Sequence, residues 1–135
     1  MFANSTLNKF KEIIAAQEGN PEIINDFNLL PHTEKTVEVK AEKNGYISSI
    51  EALEVGTAAM LLGAGRERKD SEIDLAVGIV LQKKVGDKTA EGDTLAVLYV
   101  NNETNLEEAK AKLAAAFSIS EQKPKKKQLI YEIIK

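Results

Sequence analysis

Two Gly-Asp pairs, Gly86-Asp87 and Gly92-Asp93, constrain this chain more than any other feature. They stand in VGDKTAEGDTL, residues 85–95, divided only by a short polar link, and lead into the apolar run TLAVLYV of residues 94–100. Glycine admits the positive φ of a sharp bend, and a neighbouring aspartate accepts hydrogen bonds from nearby amides. Two such bends in quick succession exclude a continuous helix here and predict a strand that starts after a double turn.

The segments on either side differ in period. Leu7, Phe10, Ile13, Ile14 and Gln17 follow helical spacing, with Lys9, Lys11, Glu12 and Glu18 on other faces. Gly19 sits where a C-terminal cap belongs, and Asn20-Pro21 reads as a second, short helix start. Helical periodicity stops at Pro31, which places an organisational boundary near residues 31–35. Residues 36–41 alternate as a strand, and Asn44-Gly45 predicts a tight hairpin returning through residues 46–50. Thr57 is a candidate N-cap for a short, mostly buried helix stopped by Gly63. A β-rich run covers residues 76–85, and TNLE at residues 104–107 fits a capping box opening a helix with Leu106, Ala109, Leu113 and Phe117 on one stripe. Residues 117–120 read as a short strand, residues 123–127 as an exposed lysine-rich turn, and the closing LIYEIIK as a further strand.

Composition narrows the function classes. Hydrophobic residues make up 43% and charged residues 29%, an ordinary globular balance, and the net charge of −3 offers no general attraction to nucleic acid or acidic membranes. Four Phe, three Tyr and no Trp, all dispersed, leave few stacking platforms for single strands. The absence of cysteine excludes disulfides and thiolate metal sites. The N-terminal MFANSTLNKFKEII lacks the basic and apolar regions of a signal peptide, and no apolar run reaches the roughly 20 residues of a membrane span. A soluble, cytoplasmic chain is the expectation.

Residues 63–69 read on composition first as a surface turn and second as a ligand loop. In the ligand reading Gly63 and Gly65 let backbone approach a ligand and Arg66 addresses a phosphate or carboxylate, with Ala64 and Lys69 completing the candidate loop. Arg68 occupies the third glycine position of a dinucleotide fingerprint, and no Gly-Lys-Ser/Thr completes a P-loop. His32, the single histidine, has no Glu or His at metal-binding spacing and reads as a solvated turn residue. Asp70, Glu72 and Asp74 read as a solvated acidic face. Catalytic residues and metal ligands are therefore assigned to none, and no cofactor is implied.

The V-G-D-x-x-x-x-G-D-x-L pattern also resembles the turns of biotinyl and lipoyl carrier domains, whose modified lysine would follow the strand ending at Val100. Asn101, Asn102, Glu103, Thr104 and Asn105 stand there instead. The wider resemblance is to the C-terminal part of the pyrimidine-nucleoside and thymidine phosphorylase family. It is carried by KFKEIIAAQEGNPEIIND, then LLP, then the stretch from VKAEKNGYISSIEALEVGTAAMLLGAGRERKDSEID to GDTLAVLYVN. Glu18-Gly19-Asn20 stands where the family commonly shows Gly-Gly-Asp.

That resemblance implies an α+β chain. Residues 1–35 would be a helical segment belonging to a preceding α/β domain or linker, and residues 36–135 the C-terminal domain. Within the latter, residues 36–105 would form an α/β-hammerhead-like module with a barrel-sandwich-type β element. It implies reversible phosphorolysis of pyrimidine nucleosides by a homodimeric parent. The phosphate loop and base-recognising Arg, Ser and Lys of the family lie upstream of the matching segment, so this chain alone is expected to be inactive and Met1 to be no natural beginning. Nucleoside and phosphate would be partners only of the full-length enzyme, the 63–69 loop would close over the cleft, and residues 1–30 would favour self-association.

Overall fold

The computed structural model describes residues 2–66, 69–70, 72–125, 130 and 132–134, with side chains described from Ser5 onward. The chain divides into two compact units, Met1–His32 and Thr33–Lys135.

Unit 1 consists of helix α1 (Phe2–Ala16) and two short 3-10 turns, Pro21–Ile24 and Phe27–Leu29. The helix ends in a double cap: Gly19 N–H donates to Ile14 O at 2.9 Å and Glu18 N–H to Ala15 O at 3.0 Å. The left-handed residue of that cap is Glu18, at φ 60°, so one of the two residues that depart from the Gly-Gly-Asp pattern takes the position glycine fills most cheaply. The strain is about 1 kcal/mol. Gly19 answers a spatial demand, because a Cβ there would lie 3.0 Å from Ile14 Cγ2. Asn20 accepts from Glu22 N–H at 3.0 Å and starts the next turn with Pro21 in its first position. No described side chain of this unit is buried, and Leu7, Phe10 and Ile13 stay about half exposed.

Unit 2 is mixed helix and sheet. Its elements run β1 (Lys35–Lys40), β2 (Gly45–Ile50), α2 (Ala52–Ala59), β3 (Gly78–Leu81), β4 (Lys88–Thr89), β5 (Thr94–Val100), α3 (Leu106–Ala116) and β6 (Phe117–Ser120). Two antiparallel three-stranded sheets form, in the orders β1-β5-β3 and β4-β2-β6. Strand alternation sends Ala96, Leu98 and Val100 of β5 into the core while Tyr99 faces out. They meet Val39, Ile47 and Leu62 there, and the Leu106, Ala109 and Leu113 stripe of α3 closes the core as its spacing predicts.

The Gly-Asp pairs knit the two sheets. Gly86 and Gly92 have φ of 95° and 85°, each as the second central residue of a tight turn. Asp87 N–H donates to Lys84 O and Asp93 N–H to Ala90 O, both at 3.0 Å. Each aspartate then reaches back: Asp87 Oδ2 accepts from Lys84 N–H at 2.7 Å, and Asp93 Oδ2 from Ala90 N–H at 3.1 Å. The backbone of each pair meets one buried residue. Gly86 N–H donates to Ile47 O and Ile47 N–H to Asp87 O, at 2.8 and 2.9 Å. Gly92 N–H donates to Ala41 O and Ala41 N–H to Asp93 O, both at 2.8 Å. Ile47 and Ala41 are buried, and each polar group left unpaired there would cost about 1–3 kcal/mol.

Several local expectations give way to long-range contacts. Residues 36–41 and 46–50 do not form a hairpin: β1 pairs with β5, and β2 with β4 and β6. Asn44 instead accepts from Glu91 N–H at 2.9 Å, bracing the second Gly-Asp turn. Gly45, at φ 155°, is required by β6, since a Cβ would lie 2.5 Å from Ser120 O and 2.7 Å from Ile119 Cγ2. Thr57 is no cap. It lies inside α2, whose N-cap is Glu51, and its hydroxyl donates back to Leu53 O at 2.9 Å. The helix is less buried than expected, with only Ala58 buried within Ala52–Ala59. The capping box at residues 104–107 does not form, because Asn102 Oδ1 takes both the N–H and the hydroxyl of Thr104, at 2.9 and 2.7 Å. The β-rich run of residues 76–85 contracts to β3. Of the closing LIYEIIK, residues 129, 131 and 135 lie outside the described residues, and Ile130 and residues 132–134 are in no strand.

Gly45→Ala should therefore cost about 2–4 kcal/mol, from overpacking added to backbone strain. Gly86→Ala, with nothing within 4 Å of its Cβ, should cost only about 1–2 kcal/mol. Urea midpoints will order the two, and equal losses would contradict the close approach of β6.

Candidate functional site

Helix α2 runs on beyond Ala59 as a wide, π-type turn, Met60–Ala64, broken by Gly63 at φ 102°. A Cβ on Gly63 would find its nearest atoms 3.8 Å away, so the glycine answers a backbone demand and not a spatial one. Gly65 is extended, at φ −145° and ψ 168°, a conformation open to any residue. The conformational freedom of this stretch thus belongs to Gly63. Ala64 packs against the core cluster, and Arg66 and Lys69 are exposed. Neither cation forms an ion pair with a described residue.

A cleft of about 320 Å3 opens beside this turn. Its floor is Met60, Leu61, Leu62, Gly63 and Gly65, and its polar wall is Glu72, Asp74, Asn102, Thr104 and Asn105. Two carboxylates and no described cation line it, so the wall itself disfavours a phosphate. Arg66 and Lys69 are not part of its lining.

Asp74 organises the wall, although the sequence placed it in a solvated acidic face. Its N–H donates to Gly63 O at 3.0 Å. Its Oδ1 accepts from Ala76 N–H at 2.9 Å and its Oδ2 from Asn101 Nδ2 at 2.8 Å. The Ala76 amide, and then the Asn101 amide, hold the Asp74 carboxyl below the usual aspartate range. Asp93 is lowered in the same way, first by the Ala90 amide and then by Lys83, whose Nζ is 3.0 Å from Oδ2. Asp70 and Glu72 are exposed, as the acidic-face reading has it. Asn101, Asn102 and Asn105 were not singled out for the site from sequence; the available signal was the polar run that follows β5.

The remaining candidates stay apart. His32 is exposed, its Nδ1 3.3 Å from Leu30 O. Lys123 and Lys125 are exposed, while Lys126 and Lys127 lie outside the described residues. Among the described residues no group of three or more His, Cys, Asp or Glu could hold a metal, and no helix is long and apolar enough to cross a membrane. Val100 gives way to Asn101 where a carrier would present lysine.

Comparison with known proteins agrees with the wider resemblance and does not favour the carrier. Residues 46–120, more than half of the chain, match the family described as Pyrimidine nucleoside phosphorylase C-terminal domain. The chain belongs to that family. It is 45% identical over 130 residues, 96% of its own length, to a pyrimidine-nucleoside phosphorylase of Geobacillus stearothermophilus. It is 50% identical over 107 residues, 79% of its length, to that of Bacillus subtilis (strain 168). With the Staphylococcus aureus (strain USA300) enzyme the figures are 39% over 119 residues, 88% of the chain. The chain spans only 30%, 24% and 27% of the lengths of these relatives, respectively.

The two lowered aspartates fix the sign of a pH effect. Their stabilising contribution is in place above the ordinary aspartate value of about 3.9 and is lost as pH falls through the lower folded values. Asp74→Asn combined with Asp93→Asn should flatten the decline in urea midpoint below about pH 4. An acid slope identical to that of the unsubstituted chain would contradict the assignment.

Proposed function

We propose that this chain is the C-terminal domain of a pyrimidine-nucleoside phosphorylase and supports turnover without supplying the catalytic groups. The observation that carries the proposal is the family match over residues 46–120, joined to relatives whose own lengths extend far beyond the shared segment. In the reaction, a phosphate oxygen bonds to the anomeric carbon of the sugar as the bond to the base nitrogen breaks. The nitrogen keeps the electron pair and is protonated, leaving free base and pentose 1-phosphate. Positive charge develops on the sugar, and water must be kept from competing with phosphate.

The 63–69 loop fits a cleft-closing role. Gly63 supplies the turn, and Arg66 and Lys69 are long, exposed cations without a described ionic partner, free to address an anion brought to the rim. Nucleoside and phosphate would be held mainly by the rest of the enzyme, a cytoplasmic homodimeric transferase of nucleoside salvage.

The same reading assigns residues 36–105 to an α/β-hammerhead-like module with a barrel-sandwich-type element, which the antiparallel sheets and paired Gly-Asp turns favour. Residues 1–35 then belong with the preceding α/β domain. The half-exposed Leu7, Phe10 and Ile13 would contact that domain, or a second copy when the chain is alone.

Phosphorolysis of uridine and thymidine by this chain alone should not exceed buffer. Adding the upstream portion of a relative should give activity, and in that complex Arg66→Ala should lower turnover about 10- to 100-fold, the size of a lost hydrogen bond to a charged group. Activity from the chain alone, or no effect of Arg66→Ala at saturating and limiting substrate, would overturn the corresponding part of the proposal.

A further inference from the structure

We propose that Asn101 is a positioning residue that ties the base of the Gly63 turn to the strand edge where the chain begins unit 2. Asn101 follows β5 directly, and β5 is the central strand of its sheet, with Leu98 and Val100 buried. Antiparallel pairing of Lys35 with Val100 brings the start of β1 alongside. An asparagine amide offers an acceptor and a donor on opposite sides, and both are used. Oδ1 accepts from Glu34 N–H at 3.3 Å, and Nδ2 donates to Asp74 Oδ2 at 2.8 Å. Asp74 N–H then donates to Gly63 O at 3.0 Å.

The result is a relay of three hydrogen bonds, from Glu34 through Asn101 and Asp74 to Gly63. An ion pair between Lys35 Nζ and Glu103 Oε1 at 2.8 Å flanks it. Gly63 is where the backbone turns at positive φ, so the direction in which Ala64, Gly65 and Arg66 depart depends on where its carbonyl is held. Asn101 holds it through Asp74, from the position directly after the central strand of its sheet. Neither leucine nor aspartate at position 101 can do this, the first lacking both functions and the second the donor. The consequence for turnover rests on the phosphorylase reading above; the relay itself does not.

The relay is tested without turnover, by amide hydrogen exchange on the whole chain. Asn101→Asp keeps the acceptor for Glu34 but sets two carboxylates face to face. Protection of the Asp74 amide should fall on the order of ten-fold or more relative to the core amide of Leu98. Adding Asp74→Asn reverses donor and acceptor across the pair. The asparagine oxygen at position 74 can still accept from Ala76, and the carboxylate at position 101 from Glu34. The exchanged pair should therefore recover protection to within about two-fold of the unsubstituted chain. Three results would overturn the proposal: unchanged Asp74 protection in Asn101→Asp, no recovery in the exchanged pair, or a parallel loss at Leu98 that marks a global effect. Failure of phosphorolysis would leave these readings intact, so the two proposals fail separately.

Discussion

The backbone bonds between the Gly-Asp pairs and the buried residues Ala41 and Ile47 are the constraint on which unit 2 depends. A strand can be drawn into a core only if its amides and carbonyls are paired there. β1 is paired by β5 as far as Lys40, and β2 by β6 and the two-residue β4. Ala41 and Ile47 are completed by turns in place of strands, each exchanging two hydrogen bonds with one Gly-Asp pair. Glycine supplies the positive φ, and the aspartate carboxylate closes each turn from the inside. The turns are therefore the seam that joins the two sheets.

The site inherits its position from that seam. Leaving the second turn, the chain becomes β5, whose end at Val100 fixes Asn101, and the following amides and hydroxyl build the polar wall of the cleft. The opposite side arrives from α2 through the break at Gly63. Asp74 joins the two, by its amide to Gly63 and by its carboxylate to Asn101. The chain makes up a minor share of the length of its relatives.

What could be read from sequence follows the range of the forces involved. The double turn, the strand after it and the stripe of α3 depend on local conformation and period, and they stand as expected. Asn44-Gly45 carried a hairpin signal, but Gly45 is there because β6 approaches too closely for a Cβ, a contact made with residues 119 and 120. Thr104 and Glu107 have capping-box spacing, yet the nearer Asn102 takes Thr104 first. Asp74 looked like one of three solvated carboxylates. Its Ala76 partner is local, but the two that place it in the wall, Gly63 and Asn101, are distant in sequence and outside any local window.

Hydrogen exchange at the seam reads whether the Gly-Asp pairs hold the sheets together. The amides of Ala41, Ile47, Gly86 and Gly92 should be among the last of unit 2 to exchange, at rates set by global unfolding and matching that of Leu98. Exchange of the Gly86 and Gly92 amides at rates typical of surface turns, with Leu98 still protected, would show that the sheets hold together without the Gly-Asp pairs, and the account would be wrong.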